Sequence, residues 1–135
     1  MAMRVLRSSL LASLFVLGAG TMAAQQTTGA LHVDAAAAKR GQALFQSRGC
    51  IGCHAIGKDK VSGPDLAGVT QRRDLDWLRR WLRNPTAMFE TDSTAKALLA
   101  QYNNTRMPNL RLTDDEVEAL LQYIQQGSER AAGAH

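Results

Sequence analysis

The chain has 135 residues, with 16 Lys and Arg against 12 Asp and Glu, a net charge of +4, 5% aromatic residues and two cysteines. That length holds one domain. The modest charge gives no support to a nucleic-acid role, and two cysteines confined to one short stretch exclude a disulfide framework.

Residues 1–23 read as an export signal. Arg4 and Arg7 make a positive n-region, Leu10 to Leu17 an apolar core, and Thr21-Met22-Ala23 offers small residues for a signal peptidase. Cleavage is expected after Ala23 or Ala24. The alternative is a retained anchor, which would be the one route to membrane association, but the apolar run is short for a span of ~20 residues. Removal takes away two arginines and no acid, leaving 14 basic and 12 acidic residues, or +2. Residues 24–33 are small and polar and read as a flexible lead-in.

Asp34 is placed to cap a first helix running to about Arg48, with Gly49 as its stop. Ala37, Gly41, Leu44 and Phe45 share one face of it. A glycine there costs ~1 kcal/mol of helix propensity relative to alanine, and a close helix crossing would explain it. Gly57 to Gly68 is rich in Gly, Lys, Asp and Pro and reads as loop. Asp74 caps a second helix, Leu75 to Arg83, ended by Asn84-Pro85. Leu75, Leu78 and Leu82 form its apolar face, with Trp77 and Trp81 flanking it.

A third helix fits Ser93 or Thr94 through Tyr102, closed by Asn103-Asn104. A loop from Thr105 to Leu112 carries Met107-Pro108. The last helix opens on a capping box, Thr113-Asp114-Asp115-Glu116, with Val117, Leu120, Leu121 and Ile124 on its apolar face. The domain is expected to span residues 34–126, with a frayed tail over 127–135. No stretch alternates as a strand, so the fold class is all-α with about four helices.

Between the first helix and the first loop lies Cys50-Ile51-Gly52-Cys53-His54. This spacing is an attachment motif for covalent haem. Two thiols form thioethers to the porphyrin vinyl groups, and the adjacent histidine binds the iron. A thioredoxin-like redox pair would want a βαβ context, which is missing. A structural zinc site would want four ligands, and beyond the motif only His32 and His135 remain. A chance occurrence of a five-residue motif is the third alternative. The scarcity of aromatics fits a cofactor-centred core, in which one buried haem supplies the missing apolar bulk. Free thiols delivered across a membrane suit the export signal, which places the protein in the periplasm.

What fills the second face of the iron decides the chemistry. A thioether raises the potential relative to a second imidazole. Outside the signal the methionines are Met88 and Met107. Met88 follows a helix end, where core packing is the usual fate. Met107 sits in a loop stiffened by Pro108, which can approach a haem face without burying unpaired backbone, and is preferred as the metal ligand beside His54.

With these residues in view, the chain from about 38 to 126 resembles a class I, single-haem cytochrome c of the small bacterial type. Gly41-Gln42-Ala43-Leu44-Phe45 looks like that family's N-terminal helix motif, and Leu120 and Tyr123 look like its partners on the last helix. Gly63-Pro64-Asp65-Leu66 resembles the loop whose proline carbonyl orients the haem histidine, which implies that Pro64 bonds His54. Leu78 to Pro85 resembles the helix before the methionine loop, and the resemblance sets Trp81 near the methionine. The tryptophan that bonds a haem propionate in mitochondrial members is replaced, with Arg73 nearest its position. The lysine-rich docking rim of those members is absent too.

The resemblance implies a periplasmic one-electron carrier, monomeric and not an enzyme, using one haem c between respiratory-chain components and a terminal reductase or oxidase as redox partners. Arg72, Arg79, Arg80 and Arg83 offer a basic docking surface and Asp114, Asp115, Glu116 and Glu118 an acidic one; both also read as ordinary solvated faces. A haem-based sensor or peroxidase-like enzyme with a labile sixth position is the second class of function, for which Arg106 is the only local distal candidate. The third is the cytochrome subunit of a larger respiratory or denitrification complex.

Overall fold

The computed structural model describes residues 31–58 and 61–134. The expected signal, and all but the end of the lead-in, lie outside the described residues. Within them the elements are α1 (Ala35–Ser47), a single 3₁₀ turn (Cys50–Gly52), α2 (Val69–Arg72), α3 (Leu75–Arg83), α4 (Pro85–Thr91), α5 (Ser93–Gln101) and α6 (Asp114–Ala132). The four expected helices are α1, α3, α5 and α6. The two short additions are α2, which follows a left-handed Gly68 (φ 68°), and α4.

Pro85 ends α3, as expected, but it also begins a helix. Asn84 is extended (φ −154°, ψ 76°), closes α3 and caps α4, its Oδ1 accepting from Ala87 N at 3.1 Å. Proline at the first helical position loses no hydrogen bond, so the same dipeptide is a stop for one helix and a start for the next.

α1 and α6 make the main packing contact. Gly41 is buried against the backbone of α6, where an added Cβ would run into the Ala119 carbonyl and come within 2.8 Å of Tyr123 Cβ. Around that crossing lie Phe45, Leu78, Leu112, Val117, Leu120 and Leu121, with the Phe45 and Tyr123 rings 5.4 Å apart. The capping box at Thr113 is formed in both directions, Glu116 Oε2 accepting from Thr113 N at 2.9 Å. Its other oxygen takes a hydrogen bond from Arg48 at the end of α1.

α6 runs on to Ala132, so residues 127–132 are helical where a frayed tail is expected. Ser128 is buried, accepts from Gly68 N at 2.9 Å and donates to the Ile124 carbonyl at 2.7 Å. Ile56 packs on Gly127, and Gly57 on Ala131. The buried Gln125 accepts from Thr70 Oγ1 and from Gln71 Nε2 (2.9 Å), tying α2 to the same helix. Nothing in helical periodicity announces these contacts, because their partners lie in a loop and in the single-turn α2.

The two expected docking surfaces also need correction. Arg79 grips Glu118 through two bonds (2.6 and 3.1 Å) and reaches Asp76 at 2.8 Å, and Arg83 bonds Asp114 at 2.5 Å. Much of the basic face of α3 and the acidic start of α6 thus neutralise each other as struts between helices.

Two outcomes follow from this packing. Gly41→Ala gains helix propensity but drives a methyl group into backbone that cannot give way, and it is expected to lower stability by about 2 kcal/mol. Thermal unfolding of the holoprotein checks this, and an unchanged or higher midpoint would refute the crossing. The Glu116 carboxyl is held below its ordinary range by the Thr113 N–H and by Arg48. A depressed folded value contributes stability that is present above the unfolded value of about 4.3 and is lost as pH falls through the folded one. Glu116→Gln should therefore flatten the stability–pH curve below about pH 4.3 while leaving its slope near neutrality unchanged.

Candidate haem site

α1 ends at Ser47 with Arg48 as its C-cap, and Gly49 turns the chain in the left-handed region (φ 77°) that a side chain would disfavour. The next residues close one tight turn, with Cys53 N donating to Cys50 O at 3.1 Å and His54 N to the same oxygen at 2.9 Å. Two thiols and an imidazole are thereby gathered within five residues. Both thiols are free, Cys50 half-buried and Cys53 exposed. Burial pushes the Cys50 thiol up, and the neighbouring Cys53 adds to the shift against a backbone hydrogen bond.

The loop after the motif orients the histidine. His54 Nδ1 lies 2.9 Å from the Pro64 carbonyl oxygen, which only accepts, so Nδ1 carries the proton and Nε2 keeps its lone pair. Gly63 donates to Cys53 O at 2.8 Å, and Leu66 to Ala55 O at 2.8 Å, holding the loop beside the motif. A Cβ at Gly63 would come within 2.7 Å of His54 Cε1 and 2.9 Å of Cys53 O. Asp65 pins the far side by accepting from Ala67 N (2.7 Å), Lys58 N (3.0 Å) and Gly57 N (3.1 Å). Burial pushes its carboxyl up, but those three N–H groups and Arg72 outweigh it and hold the carboxyl below its ordinary range.

Met107 lies on the segment between α5 and α6, half-buried, with its Sδ 3.1 Å from Trp81 Nε1. That segment is moored by Asn109, whose Nδ2 donates to Asn84 Oδ1 at 3.1 Å and whose Oδ1 accepts from Arg111 N at 2.9 Å. Asn103, Asn104 and Arg111 bend it through positive φ (54°, 58° and 52°).

Cys50, Cys53, His54, Pro64, Arg73, Trp81 and Met107 all line one cavity of about 390 Å³, within the ~300–1,000 Å³ range of cofactor pockets. Met88 does not line it; it is buried with Phe89 and Ala95. Arg73 stands with its guanidinium over the Trp77 ring at 5.8 Å. The remaining wall is apolar, from Leu66 and Leu82 through Leu99 and Leu110 to Leu121 and Ile124. This donor set suits haem: unbridged thiols, an imidazole nitrogen with a free lone pair, a thioether and an apolar enclosure.

In the sequence Trp77 reads only as flanking an apolar face and Asn84 only as part of a helix stop, and Asp92 carries no expectation. The four-residue spacing of Trp77 and Trp81 was the available signal for the first. The links of Asn84 to Asn109 and of Asp92 to Trp77 span 25 and 15 residues, and no local pattern signals them.

A family model described as cytochrome c matches residues 38–128. The chain belongs to the cytochrome c family. Among solved structures it is similar to cytochrome c from Rhodothermus marinus, with 31% identity over 73% of this chain and 83% of that one and a TM-score of 0.68. Two engineered forms of that protein, Rma TDE, match at the same identity over 73% of this chain and 83% and 82% of theirs, with TM-scores of 0.66 and 0.63. The second is bound to a carbene intermediate, 1-ethoxy-1-oxopropan-2-ylidene. No curated protein matches. As a class I cytochrome c, the chain binds covalent haem c, and Cys50 and Cys53 fit the attachment motif. Haem-based electron transfer, and redox partners to exchange electrons with, belong to that family.

Gly63→Ala tests the histidine support. The added methyl would displace either the imidazole or the Pro64 loop, at a cost of about 1–3 kcal/mol. The expected result is a lower melting temperature and a smaller haem-to-protein ratio after expression with the haem-attachment machinery. Wild-type values for both would show that the loop adjusts without consequence.

Proposed function

We propose that this cytochrome c is an exported, monomeric one-electron carrier whose iron is held by His54 and Met107. The observation that carries the reading is the presence of the His54 imidazole and the Met107 thioether in one cavity, each already fixed by a hydrogen bond. Haem bound there supplies a ferric/ferrous couple. Cys50 and Cys53 anchor the ring. Pro64 sets the His54 tautomer, so that Nε2 faces its task as a lone-pair donor without rearrangement. Trp81 holds the thioether. A site whose ligands are positioned in advance changes little between oxidation states, which keeps electron exchange fast.

The apolar core and small residues before position 24 support export to the periplasm. Among the described residues no helix is long and apolar enough to cross a membrane. In that compartment the carrier would shuttle between respiratory-chain components and a terminal reductase or oxidase, either free or as the cytochrome subunit of a larger complex.

A second reading is a sensor or peroxidase-like enzyme with a labile sixth position. It is favoured by the engineered relative bound to a carbene intermediate and by Arg106, which lines the cavity beside Met107. Against it, the Arg106 guanidinium is drawn over the Phe89 ring at 5.1 Å and toward Glu90 at 3.5 Å.

The visible and near-infrared spectrum of the oxidised holoprotein decides between them. The carrier reading expects a low-spin spectrum with a methionine-to-iron charge-transfer band that disappears in Met107→Ala and persists in Met88→Ala. A high-spin spectrum that changes on adding carbon monoxide would establish the open site instead.

A further inference from the structure

Trp77 and Trp81 lie one turn apart on α3, and their rings stack with centroids 5.4 Å apart and planes within 9°. Phe89 meets the Trp81 ring edge-on at 5.1 Å, and the Trp81 N–H points at Met107 Sδ. The chain of contacts continues outward. The Trp77 N–H donates to Asp92 Oδ2 at 3.0 Å, while Asp92 Oδ1 accepts from Ala95 N at 2.9 Å and caps α5.

Capping explains only half of this arrangement. One acceptor oxygen suffices for an N-cap, and serine or asparagine supplies it as well as aspartate. The second carboxylate oxygen is committed to an indole, and it fixes that ring against rotation about its own side-chain bonds. Because the two indoles are stacked nearly parallel, fixing one plane restricts the other. The plane of Trp81 in turn sets the direction of its single N–H.

We propose that Asp92 and Trp77 are positioning residues for the Met107 thioether, acting through the indole stack and the Trp81 N–H. The proposal rests on Met107 being the iron ligand. A hydrogen bond on the sulfur draws electron density from it, which makes it a poorer donor to ferric iron and favours the ferrous state. Asp92 and Trp77 would therefore raise the potential without touching the haem ligand themselves.

The test uses holoprotein: wild type, Asp92→Asn, Trp77→Phe and the double variant, with Trp81→Phe and Met107→Ala as references. Asp92→Asn keeps Oδ1 for Ala95 but turns the other oxygen into an NH₂ that cannot accept from the indole. Trp77→Phe keeps an aromatic ring in the stack and removes the N–H. Each is read by midpoint potential, near-infrared charge-transfer band and melting temperature. The expected result is a lower potential in both single variants, about a two- to tenfold lower ferrous-to-ferric ratio at a fixed ambient potential, the factor a net hydrogen bond represents. The double variant should match the singles, since both break one link, and Trp81→Phe should shift at least as far. Asp92→Ser, which caps but is too short to reach the indole, gives the same answer if Asp92→Asn folds poorly. A wild-type potential and band in the Asp92 and Trp77 variants, with only the melting temperature lowered, would make Asp92 a helix cap and overturn the proposal. Absence from wild type of a band that depends on Met107 would instead overturn the ligand assignment beneath it.

Discussion

The contact on which the rest of the structure depends is the backbone crossing of α1 and α6 at Gly41 and Ala119. α1 delivers the attachment turn at its C-terminal end, and α6 supplies Leu120, Leu121 and Ile124 to the cavity wall. The distance between those two parts is fixed where the helices touch, and a missing side chain lets them touch closely. A glycine that weakens its own helix is thus tolerated because it sets the width of the site. The same arrangement couples folding to the cofactor. Leu120 and Leu121 are already buried from solvent, so this part of the core is formed by the helix packing itself, and a ligand held in the cavity adds its binding free energy to the stability of the folded chain.

The methionine segment solves a different problem. It has no regular structure between Thr105 and Leu112, so nothing repetitive holds it, yet its sulfur must stay in place. The structure moors it at separate points: Asn109 on Asn84, Trp81 on Met107, and Leu110 and Leu112 in or against the core. Asn84 is the economical element here, since one side-chain oxygen serves the α4 cap and the segment together. The left-handed conformation at Arg111 costs roughly 1–3 kcal/mol for a residue with a side chain, and it persists because the anchors on either side leave the chain no other course. Asn103 and Asn104 adopt the same region more cheaply, through their short polar side chains.

Local chemistry was legible in the sequence wherever a short pattern carried it. The attachment motif, the capping box at Thr113, the Asp34 and Asp74 caps and the purpose of Gly41 could all be read from neighbouring residues. What escaped depended on partners far along the chain. α2 and α4 are too short for a hydrophobic period to emerge, and α4 hid behind a proline that usually marks an end. The last turns of α6 looked frayed because their partners, Ile56, Gly57 and Gly68, sit some 60 to 75 residues earlier in a loop. Asp92 was invisible as part of the site for the same reason: its Oδ2 bonds a ring 15 residues away, whereas its capping role is local.

Charge shows the same limit in a more instructive form. Counted along the chain, α3 is basic and the start of α6 acidic, which suggests two opposed surfaces. Folding brings them face to face, and Arg79 and Arg83 are taken up by Glu118 and Asp114. Exposed pairs of this kind contribute roughly 0–1 kcal/mol each, so their main effect is to set helix orientation and to cancel a field rather than to hold the domain together. Some of the cations left without such partners line the cavity. Of the arginines lining the cavity, Arg48 meets Glu116 and Arg106 meets Glu90, while Arg72 rests on the Ala67 carbonyl and Arg73 over Trp77. Among the described residues, Arg72 and Arg73 thus have no carboxylate within ion-pair distance. Two unpaired guanidiniums therefore stand at the cavity wall, while Lys39 and Arg40 on α1, Arg80 on α3 and Lys96 on α5 are exposed and equally without ion-pair partners among the described residues, so positive charge also remains on the helix faces, where it can steer an encounter.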